Sequence, residues 1–150
     1  MPGPVLSPPN IFDYICIMAG IYDPLRRKTV ADTPEERVRQ WFIGELSGTF
    51  GVPGHMMMSE AGLKYGAKSY RADILVYDRS GAPLAVVECK RPDVPLTPAV
   101  ARQAMRYDMV LSLGWIILTN GGSTLVFRRD AGVFVPYPSI PEYETMLCRH

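Results

Sequence analysis

The chain has 150 residues, 47% hydrophobic and 21% charged, with a mean hydropathy of +0.02, which suits one domain with a buried core and excludes a low-complexity chain. A formal net charge of +1 excludes nucleic-acid binding through a bulk basic field, so any such binding rests on a local patch. No apolar run approaches the roughly 20 residues of a membrane span, and no basic segment precedes an apolar one at the N-terminus, so the expected location is cytoplasmic.

Prolines at positions 2, 4, 8 and 9 predict extended or poorly ordered chain over residues 1–10, the first part of an N-terminal extension and packing segment at 1–20. Within it, residues 11–17 are apolar enough to pack on the body as a short strand or a short helix. Arg26-Arg27-Lys28 is a basic run that reads as a solvated loop or a phosphate contact. Thr33-Pro34-Glu35-Glu36 then predicts a helix start, with Thr33 as N-cap, Pro34 in the first turn and Glu36 at the capping-box position. The helix is expected to run to about Thr49, before Gly51-Val52-Pro53-Gly54. Its apolar stripe is Val38, Phe42 and Leu46, widened by Trp41; Glu35 falls on that stripe and Glu36 to its side.

Met56-Met57-Met58 reads as a core strand, followed by Glu60, which reads as a solvated acid or as an acid able to approach the functional site. Residues 62–70 predict a hairpin into the next strand, and Lys64 and Lys68 there suit either a nucleic-acid surface or a guarded β-edge. Two apolar runs follow, residues 71–77 and 84–90, joined by the turn signal Asp78-Arg79-Ser80-Gly81-Ala82-Pro83. Paired as an antiparallel hairpin, they bring Asp73 near Glu88, with Glu88 and Lys90 on one face and Cys89 on the other. Two carboxylates and an ammonium at the rim of an apolar sheet are costly unless paired or bound to a cation. Mg²⁺ takes hard oxygen ligands and keeps several waters, which suits two carboxylates, a backbone carbonyl and phosphate oxygens. An ordinary surface pair between Glu88 and Lys90 is the bland alternative.

Thr97-Pro98 repeats the cap-and-proline start, so a second helix is expected over 98–113, ending at Gly114. Gln103 and Tyr107 lie one turn apart on its inward face, where Gln103 needs a partner, while Arg102 and Arg106 project elsewhere. Residues 115–119 form a fully buried strand by their unbroken apolar run. Asn120-Gly121-Gly122 joins it to a strand at 123–127 that ends in the basic pair Arg128-Arg129. Residues 133–135 predict a last strand before a proline-punctuated tail. Cys16, Cys89 and Cys148 lack C-x-x-C spacing, which argues for a reducing compartment and against zinc or iron–sulfur sites.

Asp73, then Glu88-Cys89-Lys90 and Gln103-Ala104-Met105-Arg106-Tyr107, resemble the Asp, Glu-x-Lys and Gln-x-x-x-Tyr motifs of PD-(D/E)XK nucleases. More narrowly, residues 20 to 130 resemble the nuclease domain at the N-terminus of type I restriction enzyme R subunits. Thr33-Pro34-Glu35-Glu36-Arg37-Val38-Arg39-Gln40, Arg71-Ala72-Asp73-Ile74 and Leu118-Thr119-Asn120-Gly121 are phrases typical of that group; Ala72 stands where proline is usual. The resemblance implies an α/β fold with a restriction-endonuclease-like core, a mixed central sheet flanked by helices. It implies a nuclease domain over 21–130, between an N-terminal extension at 1–20 and a C-terminal strand and tail at 131–150.

The implied activity is Mg²⁺-dependent hydrolysis of DNA phosphodiesters, with Mn²⁺ able to substitute. Asp73, Glu88 and the Cys89 carbonyl would hold the metal, Lys90 the attacking water, and Gln103 would support the site. One of Glu35 and Glu36 would complete it; the other reading has both acids only favouring the helix N-terminus. Tyr107, Arg102, Arg106, Lys64 and Lys68 are the candidate nucleic-acid contacts. DNA is the implied partner, with either a second copy or a separate translocase and specificity partner, because no Gly-x-x-x-x-Gly-Lys-Ser/Thr loop occurs in these residues. The rival reading is a non-catalytic nucleic-acid-binding or assembly module on the same fold, and a weaker one is an RNA or modified-DNA nuclease.

Overall fold

A computed structural model describes residues 20–65, 67–109 and 111–148. The expectations for the N-terminal extension and its packing segment lie outside those residues. A small antiparallel ribbon comes first, β1 (Ile21–Asp23) paired with β2 (Lys28–Val30). Its turn is organised by the fully buried Asp23, which accepts the N–H of Leu25 at 2.8 Å and of Arg26 at 3.2 Å.

Helix α1 (Pro34–Gly48) begins as its cap predicts: Thr33 Oγ1 accepts the Glu36 N–H at 3.1 Å, and Pro34 occupies the first turn, where its missing N–H costs nothing. Val38, Phe42 and Leu46 form its buried stripe. Ile43 widens that stripe, whereas Trp41 is exposed. Ile43 continues a row at i+4 spacing, Glu35, Arg39, Ile43, that runs along the edge of the stripe.

Six strands make one sheet in the order β3-β4-β5-β6-β7-β8: β3 (Met57–Tyr65), β4 (Lys68–Tyr77), β5 (Pro83–Cys89), β6 (Trp115–Thr119), β7 (Thr124–Asp130) and β8 (Val133–Tyr137). All neighbours are antiparallel except β5 and β6, which run parallel with Glu88 opposite Leu118. A parallel pair needs a crossover, and helix α2 (Pro98–Met105) lies within it. The sheet is therefore mixed, with the Asp73, Glu88 and Trp115 strands at its centre, as expected. One face packs Ile74, Val87, Trp115 and Ile117 against α1 and a terminal helix, α3 (Tyr143–Leu147); the other packs Leu75, Val86, Ile116 and Leu118 against α2. Among the described residues, no helix is long and apolar enough to cross a membrane.

Three elements differ from expectation. The second helix stops at Met105 and tightens into a 3-10 turn over Arg106–Met109, not running on to 113. The tighter pitch turns Tyr107 into the sheet, and Gly114 then docks its N–H on the Leu84 carbonyl at 2.9 Å to start β6. Of the three consecutive methionines only Met57 is buried in the strand; Met56 belongs to a preceding 3-10 turn, and Met58 is 49% exposed because β3 is an edge strand. The proline-punctuated tail contains α3, whose Tyr143 and Met146 are core residues. Tyr143 donates its hydroxyl to the Tyr77 carbonyl at 2.7 Å, and the Trp115 indole N–H donates to the Met146 carbonyl at 3.1 Å.

Candidate active site

The β4–β5 ladder ends at the pair Ile74–Val87, while β4 continues with β3 alone to Lys68. One residue past that last pair, Asp73 and Glu88 face each other where the two strands part. Cys89 would lose its ladder acceptor there. Its N–H instead donates to Asp73 Oδ2 at 2.7 Å. Arg39 Nη2, from the inward edge of α1, donates to Oδ1 at 3.1 Å. Asp73 is 8% exposed, so both of its oxygens are engaged in a nearly dry setting.

Glu88 is compensated only in part, by Tyr107 and Lys90. Its Oε1 is buried without a hydrogen-bond partner. Burial first, and the Asp73 charge second, push its carboxyl up to about 8, against the pull of Tyr107 and Lys90. Glu88, Lys90, Gln103, Arg106 and Tyr107 line a cleft between β5 and α2 that encloses about 20 Å³, room for one water. Cys89 points to the opposite face, where burial raises its thiol well above its usual range.

The two helix-start glutamates separate clearly. Glu36 is buried and committed to cations of its own: Arg26 bonds it directly, Arg39 Nε lies 3.4 Å away, and Gln40 Nε2 donates to it at 3.3 Å. Glu35 is pushed up by burial and then by the charge of Asp73, and is pulled down by Arg39 and Lys90. Glu35 therefore shares the field of the Asp73–Lys90 site, whereas Glu36 braces the β1–β2 turn against α1.

Other residues stand as follows. Gln103 is exposed at the rim of the cleft, so it is not the inward polar group in need of a partner that the helical pattern suggested. Tyr107 is 3% exposed and donates its hydroxyl to the Arg71 carbonyl at 2.9 Å; a ring so buried offers no surface to a nucleic-acid strand. Arg102, Arg106 and Lys64 are exposed, and Arg106 lies over the Tyr70 ring at 5.5 Å. The Lys68 side chain is outside those described. Arg26 is bound by Asp23 and Glu36 and cannot greet a phosphate freely. Arg129 Nε donates to the Leu113 carbonyl at 2.7 Å, on β7, two strands from Glu88.

One residue was not visible as a site member in the sequence, and a second was read mainly as a solvated acid. Arg39 is 5% exposed and meets carboxylates from three elements: Asp73, Glu60 at 2.5 Å, and Glu36 and Glu35 of its own helix at 3.4 and 3.8 Å. Glu60, expected to be a solvated acid, is a half-buried partner of Arg39, which holds it below the usual carboxylate range although burial alone would raise it. Spacing carried a trace of the first: Arg39 follows Glu35 by four residues and Glu36 by three, next to the apolar stripe.

The donors suit a hard divalent ion. Asp73 and Glu88 stand opposite each other, and the orphaned Glu88 Oε1 lacks the partner a cation would provide. Among the described residues, no three His, Cys, Asp or Glu side chains gather as a metal cluster. An ion held here would complete its shell with the Cys89 carbonyl, water and substrate oxygens, which is how Mg²⁺ is commonly bound.

The family described as type I restriction enzyme R protein N terminus matches residues 34–141. No curated protein matches the chain. Among solved structures, a fragment assigned to the HsdR subunit of a type I restriction enzyme from Vibrio vulnificus YJ016 is similar, with a TM-score of 0.58 and 24% identity. The likeness covers 80% of this chain and 26% of that one, and it shows the shared fold.

Proposed function

The chain belongs to the type I restriction enzyme R protein N-terminus family, and we propose that it is a metal-dependent endonuclease domain that hydrolyses DNA phosphodiester bonds. One observation carries the reading: a buried carboxylate oxygen of Glu88 without a partner, directly across from Asp73, in a water-sized cleft beside Lys90. Asp73, Glu88 and the Cys89 carbonyl would hold Mg²⁺, or Mn²⁺ in its place. A bound ion of this kind supplies a hydroxide nucleophile at neutral pH and neutralises charge on the phosphate.

The chain's own residues divide the remaining work. Lys90 orients the attacking water and stabilises charge that develops on the phosphate. Glu35, in the same field, completes the acidic rim and helps to place that water, and Gln103 closes the cleft from the α2 side. Tyr107 holds the Arg71 backbone and so fixes the part of β4 just before Asp73. The chain spans 26% of the solved relative, so ATP-driven translocation and sequence recognition would belong to other parts of a longer protein or to partner subunits.

A non-catalytic nucleic-acid-binding module is the second reading, favoured by the fact that both Asp73 oxygens already have protein partners. Titration calorimetry with Mn²⁺ and nicking of supercoiled plasmid, on the wild type and on Asp73→Ala, decide between them. Binding and nicking that disappear together support the nuclease. A wild type that binds no metal and cuts nothing at millimolar Mn²⁺ supports the binding module.

A further inference from the structure

We propose that Arg39 is a positioning residue for the metal site: its guanidinium, gripped by Glu60 and Glu36, holds Asp73 so that the carboxylate faces Glu88. The inference rests on the reading of Asp73 and Glu88 as metal ligands.

Arg39 Nη2 fixes Asp73 Oδ1 at 3.1 Å while the Cys89 N–H fixes Oδ2 at 2.7 Å. With both oxygens held, the carboxylate cannot rotate about its terminal torsion, and the lone pairs still free point in one set of directions. A carboxylate has about four lone-pair sites, so two bonds leave room for a metal. Glu60 on β3 and Glu36 on α1 form ion pairs with the guanidinium at 2.5 and 3.4 Å, so their charge holds it in place although its Nε and Nη1 donate no hydrogen bond. Glu36 is in turn held by Arg26, which is anchored on the fully buried Asp23. A chain of ion pairs therefore runs from the β1–β2 turn through α1 to Asp73.

Glu60 sits across the β3–β4 ladder from Asp73, between the pairs Ser59–Ile74 and Ala61–Ala72, and adopts a left-handed backbone with φ of 56°. Left-handed backbone is unfavourable for a residue with a Cβ, and it persists where the surroundings over-determine it. Here it coincides with the delivery of a carboxylate to Arg39. Stability alone is a poor reason for such an arrangement, since buried ion pairs are often no better than apolar packing. Orientation of a ligand by its outer partners is a better one, because such partners commonly contribute 10- to 100-fold in metal affinity.

The test is Mn²⁺ titration calorimetry on the full chain, wild type against Arg39→Met, Arg39→Lys, Glu60→Gln and Glu88→Ala, with melting temperatures recorded alongside. Positioning predicts that Arg39→Met and Glu60→Gln weaken Mn²⁺ about tenfold or more. Arg39→Lys, which keeps the charge but cannot span Asp73 and Glu60 together, recovers the melting temperature and not the affinity. Affinity that is unchanged or tighter in Arg39→Met and Glu60→Gln overturns the role; tighter binding would mean that Arg39 is only a repelling counter-charge. Should Arg39→Met not fold, Arg39→Lys and Glu60→Gln decide by the same criterion. Wild-type binding that Glu88→Ala abolishes but Glu60→Gln and Arg39→Lys leave intact sinks the Arg39 role alone, whereas a wild type that binds no Mn²⁺ sinks the metal reading and the role with it.

Discussion

Glu88 carries a burden that pH reveals. Burial and the neighbouring Asp73 charge raise its carboxyl to about 8, so without metal the folded chain holds a proton there that the unfolded chain, titrating near 4.5, gives up. The sign follows from linkage: its contribution to stability is fully present below about pH 4.5 and is lost as pH rises through 8. Melting temperatures of the metal-free wild type and Glu88→Gln should therefore diverge across that window, with the variant the more stable at the alkaline end; parallel curves would mean Glu88 is not buried as described. Metal binding must expel the same proton, so Mn²⁺ affinity should rise about tenfold per pH unit until near 8 and then level off. Lys90 makes a contrasting case. It lines the cleft without being a ligand, so Lys90→Ala should cut nicking by about 10²-fold or more while Mn²⁺ affinity changes less than about threefold. Loss of Mn²⁺ affinity in that variant would move Lys90 from the chemistry to the support of the metal.

Tyr107 shows how an element can carry a site from beneath, its hydroxyl serving the Arg71 carbonyl and standing beside the Glu88 carboxyl. The 3-10 turn that ends α2 swings its ring under β4, and the hydroxyl satisfies the Arg71 carbonyl two residues before Asp73. Tyr107→Phe leaves that carbonyl without its partner, at a cost of about 1–2 kcal/mol, and should leave DNA affinity unchanged. Thermal melting and anisotropy of a labelled duplex measure the two separately; a selective loss of DNA affinity would return Tyr107 to the binding surface. The same element marks the limit of what the sequence made legible. Cap chemistry at Thr33 and Thr97, the turn at Asp78–Pro83 and the apolar runs around Asp73, Glu88 and Trp115 are local signals, and they gave the starts of both helices and the centre of the sheet. The hairpin register brought Asp73 to Glu88 because strand alternation is rigid. Periodicity could not place Gln103 or end α2, since whether the helix continues to 113 depends on a tertiary bond from Tyr107 to a distant strand. Arg39 was invisible, and Glu60 was read mainly as a solvated acid, for a related reason: each looks like an ordinary surface charge until β3, β4 and α1 meet. Glu60 also needs a left-handed backbone that no motif announces.

A net charge of +1 leaves the whole molecule with no field to draw in a polyanion, so any attraction for DNA must come from where the cations are placed. Beyond Ile74 the β3–β4 pair leaves the rest of the sheet as a two-stranded ribbon, and Lys64, Tyr70 and Arg71 line an open groove of about 660 Å³ on it. The Tyr70 ring carries the Arg106 guanidinium at 5.5 Å, and Arg106 also lines the Glu88 cleft. Arg102 lies four residues earlier, on α2, and is exposed. A DNA track from the ribbon to the candidate site would use these four cations, of which Arg71 is paired with Glu60 at 3.3 Å. The basic residues Arg26 and Arg129, by contrast, are tied into the fold. If the track engages about four phosphates, the logarithm of duplex affinity should fall with the logarithm of salt at a slope of about −3 to −4. Arg106→Ala should reduce that slope by about one and weaken binding evenly across sequences, because a phosphate contact reads no bases. Measuring both in Ca²⁺ with the Glu88→Ala chain keeps cleavage out of the result. A slope near zero, or an Arg106→Ala effect confined to one sequence, would show that DNA approaches from another face and that the cleft receives its phosphate without this track.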